Sequence, residues 1–484
     1  MTAKTLCDRG QALASQGQST RRPNLVLAAT VLASGLDFID GSVVNVGVPA
    51  IGRSLHGGAA DLQWVVNAYL LPLSALLLLG GALGDRYGRR RMLAAGIVLF
   101  AAGSAACAAA PTLAWLIAAR VAQGLGAALM LPNSLAVLGA SFEGPARSRA
   151  VGIWAAAGAI AAAVGPVLGG WLIDTVGWRA IFLINLPLAA AAAGLALYAI
   201  DRDPPPTEGA RLDFVGAALI TGALTGLTWG LTEGAGAMGW RAGPVAAIAL
   251  GAGLAAAFVW TEKRLGERAL TPLALFGSRP LVALNLLTLL LYGAMAGFLL
   301  LLPFVLITAA GYSATEAGAV MLPFPVIMMI GSPLLGELAG RIGARPLLIA
   351  GAMLIGAGLL LAMRVGPHAN YWTAVLPSVA VLALGMTCSA APLTSAILSA
   401  ADAKHTGAAS GLNSAVAQLG GVIVVALVGA VLALRGAALI GAFHVAAIAG
   451  SALALAAAAT IVFLFRDAHI QGAAAANGGS DAPP

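Results

Sequence analysis

Fourteen apolar stretches, each long enough to cross a bilayer as a helix, follow one another along the 484 residues. A hydrocarbon core of about 30 Å takes roughly 20 mostly apolar residues per helical crossing. Inside that core every backbone N–H and C=O must be satisfied within the chain, which leaves only helices or closed barrels. Runs of this length select helices, so the expected fold is an all-α membrane protein with about 14 transmembrane helices. Composition agrees: hydrophobic residues make up 60% of the chain and charged residues 9%, against roughly 25% charged in a soluble domain.

The formal net charge is +7. Nucleic acid is not the expected partner, because the basic residues come as short clusters between apolar runs and not as a stripe with interleaved aromatics. They read as topology signals, since loops rich in Lys and Arg stay on the cytoplasmic side during insertion. With the N-terminus inside, only Arg53, Arg179, Arg241, Arg364 and Arg435 fall outside and Arg120 falls within the membrane, leaving the other twenty of the 26 Lys and Arg inside. Both termini are then cytoplasmic, in a multi-pass protein of a bacterial inner membrane. The polar opening stretch ends at Arg21-Arg22, and the apolar segment behind it carries Asp37 and Asp40 without a convincing cleavage site, so it is expected to remain as the first helix. Cys7, Cys107 and Cys388 are odd in number and far apart, which predicts neither a disulfide framework nor a metal site.

Two long, charged, proline-bearing connections divide the chain: DRDPPPTEGARLD, residues 201–213, and EKRLGERALTPLALFGSRP, residues 262–280. Linkers between packed units have this character. The expected organisation is a cytoplasmic tail over 1–23, a six-helix bundle over 24–200, linkers and a central helix pair over 201–279, a second six-helix bundle over 280–465, and a cytoplasmic disordered tail over 466–484. Paired six-helix units are the repeats many transporters use.

Asp40 and Arg120 lie inside apolar stretches. An ionisable group there is costly unless it faces a partner or a water-filled cavity, so each is a functional-site candidate. At about 1.5 Å per residue, Arg120 lies roughly 12 Å below the outer end of its helix and Asp40 roughly 17 Å below the outer end of the first. These depths permit a coupling between the two, direct or through water. An arginine satisfied by backbone carbonyls is the alternative. Asp37, one turn before Asp40, either shares a proton with it or is a bystander inside the helix.

Four motifs carry a family resemblance. GALGDRYGRRRML, residues 81–93, lies on the inner loop between the second and third spans, and LIAARVAQGLGAA, residues 116–128, surrounds Arg120. Gly158 and then Gly165-Pro166-Val167-Leu168-Gly169-Gly170 mark the fifth span, and IDGSVVNVGVPAI with WRAIFLINLP complete the set. Together these resemble the major facilitator superfamily, and with the extra central pair its fourteen-helix drug:proton antiporters. The resemblance implies a conformational latch at Gly81, Asp85, Arg89 and Arg90, made when acid and basic groups meet helix ends or each other. It also implies an exporter-specific packing motif at Gly158, Gly165, Pro166, Gly169 and Gly170, where glycines admit a neighbouring helix and proline bends the span. Proton coupling would fall to Asp40, Arg120 and Asp37. In the second half GSPLLGELAGRIGARP, residues 331–346, is similar to a worn copy of the first inner-loop signature, with Glu337 and Arg341 as its charged remnants.

No loop has the Gly-rich Lys-Ser or Lys-Thr pattern of a nucleotide-binding loop, the histidines are scattered, and no metal-ligand spacing occurs. Neither an enzyme nor a cofactor is expected. The leading expectation is a monomeric exporter of small amphiphilic compounds against protons by alternating access, with a proton-coupled uptake symporter or a non-transporting sensor as the alternatives. Candidates for the substrate cavity are Asn45, Tyr69, Trp154, Tyr292, Met295, Phe298, Phe304 and Phe324, an adaptable wall of the kind promiscuous sites use.

Overall fold

A computed structural model describes residues 22–142, 144–201, 213–235, 239–266, 278–400 and 406–465, and these are almost entirely helical. The helices are α1 (Pro23–Leu55), α2 (Ala59–Tyr87), α3 (Arg89–Ala108), α4 (Leu113–Ser141), α5 (Gly144–Thr175), α6 (Ala180–Ala199), α7 (Phe214–Ala235), α8 (Ala242–Leu265), α9 (Arg279–Thr308), α10 (Ala314–Ile342), α11 (Ala344–Arg364), α12 (Leu376–Ala400), α13 (Thr406–Val428) and α14 (Gly436–Leu464). Twelve of them are long and apolar enough to cross a membrane, and α2, bent by 54° between Leu77 and Leu79, makes up to 13. Exactly fourteen spans is therefore not confirmed among the described residues. The two linkers and both tails lie largely outside the described residues.

Helices α1 to α6 pack mainly among themselves, α9 to α14 do likewise, and α7 pairs with α8 while leaning on α2 and α13. Prolines sit inside α1, α2, α4, α5, α9, α10 and α12. Membrane helices tolerate them because neighbouring helices can satisfy the freed backbone groups.

Corresponding turns in the two groups are alike. Gly88 (φ 105°) joins α2 to α3 and Gly343 (φ 87°) joins α10 to α11, each in a conformation that suits glycine. Before each lies the acid of an i, i+4 ion pair completed by an arginine, Asp85 with Arg89 at 2.8 Å and Glu337 with Arg341 at 2.6 Å. Two residues after each glycine another arginine reaches the last turns of its group's sixth helix: Arg90 donates to the Leu197 carbonyl, and Arg345 to the Val462 carbonyl at 2.7 Å. The glycine and the later arginine therefore match in the two copies, while the ion pairs sit at different offsets from the glycine.

Hydrogen bonds between the two groups gather at the end opposite Gly88. There the amide of Gln63 on α2 donates to the Val425 and Ala426 carbonyls of α13, both at 2.7 Å. Asp174 at the end of α5 accepts from the backbone N–H and the hydroxyl of Thr315, at 2.9 and 2.6 Å, and so caps the start of α10. Gly170 and Gly318 let these helices touch, since a methyl on either would overlap the opposing backbone at Ala314 or Pro166. Toward the Gly88 end the same two helices instead expose Ile153, Ile160, Ile330 and Leu334.

Candidate coupling site and central cavity

Asp40 is fully buried and Arg120 is 1% exposed, and the two form a salt bridge inside the first group of helices. Four helices build the surroundings. Gln123 Nε2 and Asn185 Nδ2 donate to Asp40 Oδ1 at 3.1 and 3.0 Å, and both also donate to Ser104 Oγ, at 3.0 and 2.9 Å. The Ser104 hydroxyl in turn donates to the Phe182 carbonyl at 3.1 Å. Arg120 Nε donates to the Val65 carbonyl at 3.0 Å and Nη1 to Gln123 Oε1 at 2.9 Å, where Cys107 Sγ also donates at 3.1 Å. A buried carboxylate is tolerable only when its lone pairs are met in this way.

The guanidinium lies over the Tyr69 ring, 4.3 Å from its centroid, and the Tyr69 hydroxyl donates to Asp37. Asp37, Tyr69, Arg120 and Asp40 thus form one continuous polar chain. The Asp37 carboxyl is linked to Asp40 through Tyr69 and Arg120.

Asp40 faces a partner and is not among the residues lining the neighbouring cavity. The cavity of about 190 Å³ beside it is lined by Arg120 and Tyr69 together with Asn45, Tyr292, Met295 and Gln418. These come from α1, α2, α4, α9 and α13, so both groups of helices contribute. Four of the proposed wall residues meet there, namely Asn45, Tyr69, Tyr292 and Met295. The other aromatics are elsewhere. Trp154 donates to Ser34 Oγ at 2.8 Å and packs edge-on against Phe38. Phe298 lines a separate apolar cavity between α9, α13 and α14, Phe304 is buried, and Phe324 packs onto the core of the second group. A helix that is apolar all round gives no sequence signal for which aromatic face looks inward.

In the latch, Arg89 pairs with Asp85 and also reaches the Ala136 carbonyl of α4 at 3.3 Å. The close approach there is made by Gly80 and Gly84, not Gly81: a methyl on Gly80 would overlap the Ala128 carbonyl and one on Gly84 the Asn133 side chain, whereas Gly81 has room. In α5, Gly158, Gly165 and Gly169 face α1, where methyls would overlap Phe38, Ser42 and Val43, while Gly170 faces α10 and the neighbouring Pro166 carbonyl meets Gly318. One motif therefore serves two interfaces.

Sequence reasoning missed Ser104, Asn185 and Gln418 as site residues. An amide within an apolar span carries the same signal as Arg120, only weaker; Ser104 carries none, since a helical serine can satisfy itself on its own backbone. Among the described residues no group of three or more His, Cys, Asp or Glu could hold a metal.

Helices of membrane-crossing length in two groups, closed together at one end around a cavity that both line, define a multi-pass transporter. A sequence profile of the Major Facilitator Superfamily matches residues 30–425 and 284–482, and the chain belongs to that superfamily. It is 37% identical over 413 residues, 84% of this chain and 76% of the relative, to the multidrug resistance protein Stp of Mycobacterium tuberculosis (strain CDC 1551 / Oshkosh). To the methylenomycin A resistance protein of Bacillus subtilis (strain 168) it is 36% identical, covering 92% of this chain and 94% of the other. The tetracenomycin C resistance and export protein of Streptomyces glaucescens is 35% identical over 86% of this chain and 77% of its own length. Among solved structures, the in meso crystal structure of the POT family transporter PepTSo superposes with a TM-score of 0.69 over 93% of this chain and 99% of the other, at 15% identity, and shares the fold.

Proposed function

We propose that this chain is a proton-coupled exporter of drugs or other small amphiphilic compounds, of the fourteen-helix drug:proton antiporter type, acting as a monomer in the cytoplasmic membrane. The six, two and six division and cytoplasmic termini belong to the same reading. With the basic loops inside, the end sealed by Gln63, Asp174 and the Gly170–Gly318 contact is the outer one, so the structure corresponds to a state closed toward the outside.

The observation that carries the reading is the position of Arg120, which holds buried Asp40 with one edge while lining the cavity shared by both halves. In this state Asp40 is paired with Arg120. Rocking of the halves to the outward-open state would pull the guanidinium from the carboxylate, and a charge stranded in a dry site is neutralised by a proton. Asp37 and Tyr69 give that proton a route, and return to the inward state expels it as the pair re-forms. Substrate enters the cavity in the paired state and leaves in the protonated one. The latch at Asp85, Arg89 and Arg90 and the α5 glycines set the balance between the two states.

The test is transport by the purified chain in proteoliposomes with an imposed pH gradient. A fluorescent drug is expected to move against the protons and to stop when the gradient is collapsed by an ionophore. Movement in the direction of the protons would make the chain a symporter, and none at all, across a drug panel, a sensor. The resistance and export functions in the relatives' names favour the first outcome.

A further inference from the structure

The cavity contains hydrogen-bonding groups that no other described residue uses. Arg120 engages protein acceptors through Nε and Nη1, and its Nη2 has none. Asn45 on α1 and Gln418 on α13 line the same space, and neither amide has a hydrogen-bond partner among the described residues. Tyr292 on α9 adds a phenol. Each half therefore contributes two polar groups to one site. Among the described residues Arg120 is the only charged one in the lining, because Asp40 stands behind it, wholly buried and already paired.

Charge sorts what such a site can hold. A cationic compound would meet a guanidinium with no carboxylate in the lining to offset it, and like charges in a poorly solvated cavity repel strongly. An anionic compound would compete with Asp40 for Arg120 and so break the pair on which coupling rests. An uncharged compound with carbonyl or phenol oxygens takes Nη2 and the two amides and leaves the pair intact. The remaining wall, Val44, Val66, Leu70, Met295, Leu299 and Val425, suits its apolar body.

From this we infer that the substrates are uncharged, hydrogen-bond-accepting amphiphiles, with Asn45 and Gln418 as the residues that select them across the two halves. The inference rests on the exporter reading above and narrows its substrate class.

The experiment uses one scaffold in three charge states: anthraquinone carrying a hydroxyl, a carboxylate or a trimethylammonium group. Binding to the purified full chain in detergent is measured by calorimetry. The hydroxyl compound is expected to bind at least tenfold more tightly than either charged form. Asn45→Ala and Gln418→Ala should each weaken it about fivefold, the size of one hydrogen bond of roughly 1 kcal/mol. Their amides hold no other part of the protein together, so folding is retained, which the elution profile checks. Gln418→Glu should reverse the selection by admitting the trimethylammonium form. Equal or tighter binding of a charged form, or indifference to both alanine substitutions, overturns the inference. Transport distinguishes the two levels: if the cationic form is bound and exported on a proton gradient, the substrate class is wrong and the exporter stands, whereas bound compound that never moves counts against the exporter itself.

Discussion

Arg120 performs three tasks at once, holding the Val65 carbonyl, the Asp40 carboxylate and the Gln123 side chain. Lysine keeps the charge but lacks the planar fork that serves several acceptors. Arg120→Lys is therefore expected to lower drug transport in vesicles at least tenfold while the protein still reaches the membrane; wild-type transport by that variant would show the fork to be dispensable. Tyr69→Phe removes the donor from buried Asp37, and an unmet buried acceptor costs about 1–3 kcal/mol. The apparent melting temperature in detergent should fall by several degrees, and an unchanged value would mean that Asp37 finds another donor. Both ends of the ion pair were legible in the sequence, because charges inside apolar spans are too costly to be incidental. Its supporting residues were less so. Asn185 stands among apolar neighbours as a faint signal, and the relation of Tyr69 to Asp37 depends on a contact between α1 and α2 that no local pattern encodes.

Among the helices, α5 shows most directly how a short motif becomes mechanics. Its glycines at 158, 165 and 169 fit it to α1 within one half, and Gly170 fits it to α10 of the other. On the alternating-access proposal the first contact persists and the second parts when the end opposite Gly88 opens. Gly318→Ala pushes a methyl into the Pro166 carbonyl in this closed arrangement, a clash that separation of α5 from α10 would relieve. Overpacking costs about 1–3 kcal/mol, so the balance should shift toward outward opening by about tenfold. A cysteine placed at Thr315 reports it: labelling by a membrane-impermeant maleimide should quicken severalfold when Gly318→Ala is added, and unchanged labelling would mean that the contact does not hold the closed state. Helix positions were readable from apolar length alone, and the α5 motif from its spelling. The division of its glycines between two partners was not, nor was the bend in α2, because both are set by which helices pack together.

For the whole molecule, the sealed end opposite Gly88 is the feature from which the proposed cycle is read. Asp174 and Thr315 tie α5 to α10, and Gln63 ties α2 to α13. Replacing Asp174 and Thr315 together by cysteine and oxidising the pair should lock this end and abolish transport, with recovery on reduction; transport through the locked protein would place the moving parts elsewhere. The duplication behind the two halves was visible in the sequence, where GRIGARP echoes the earlier inner-loop signature, and the matched glycines at 88 and 343 give it a structural form. What hydropathy left unread was the state of the machine, since the same apolar spans serve open and closed arrangements equally. The central claim, that the α1 carboxyl trades its arginine for a proton as access alternates, is tested most directly by counting protons in proteoliposomes loaded with drug. Downhill drug exit should drive protons inward in the wild type, and Asp40→Asn should still pass drug downhill while moving no protons. Proton movement by Asp40→Asn equal to the wild type's would contradict it.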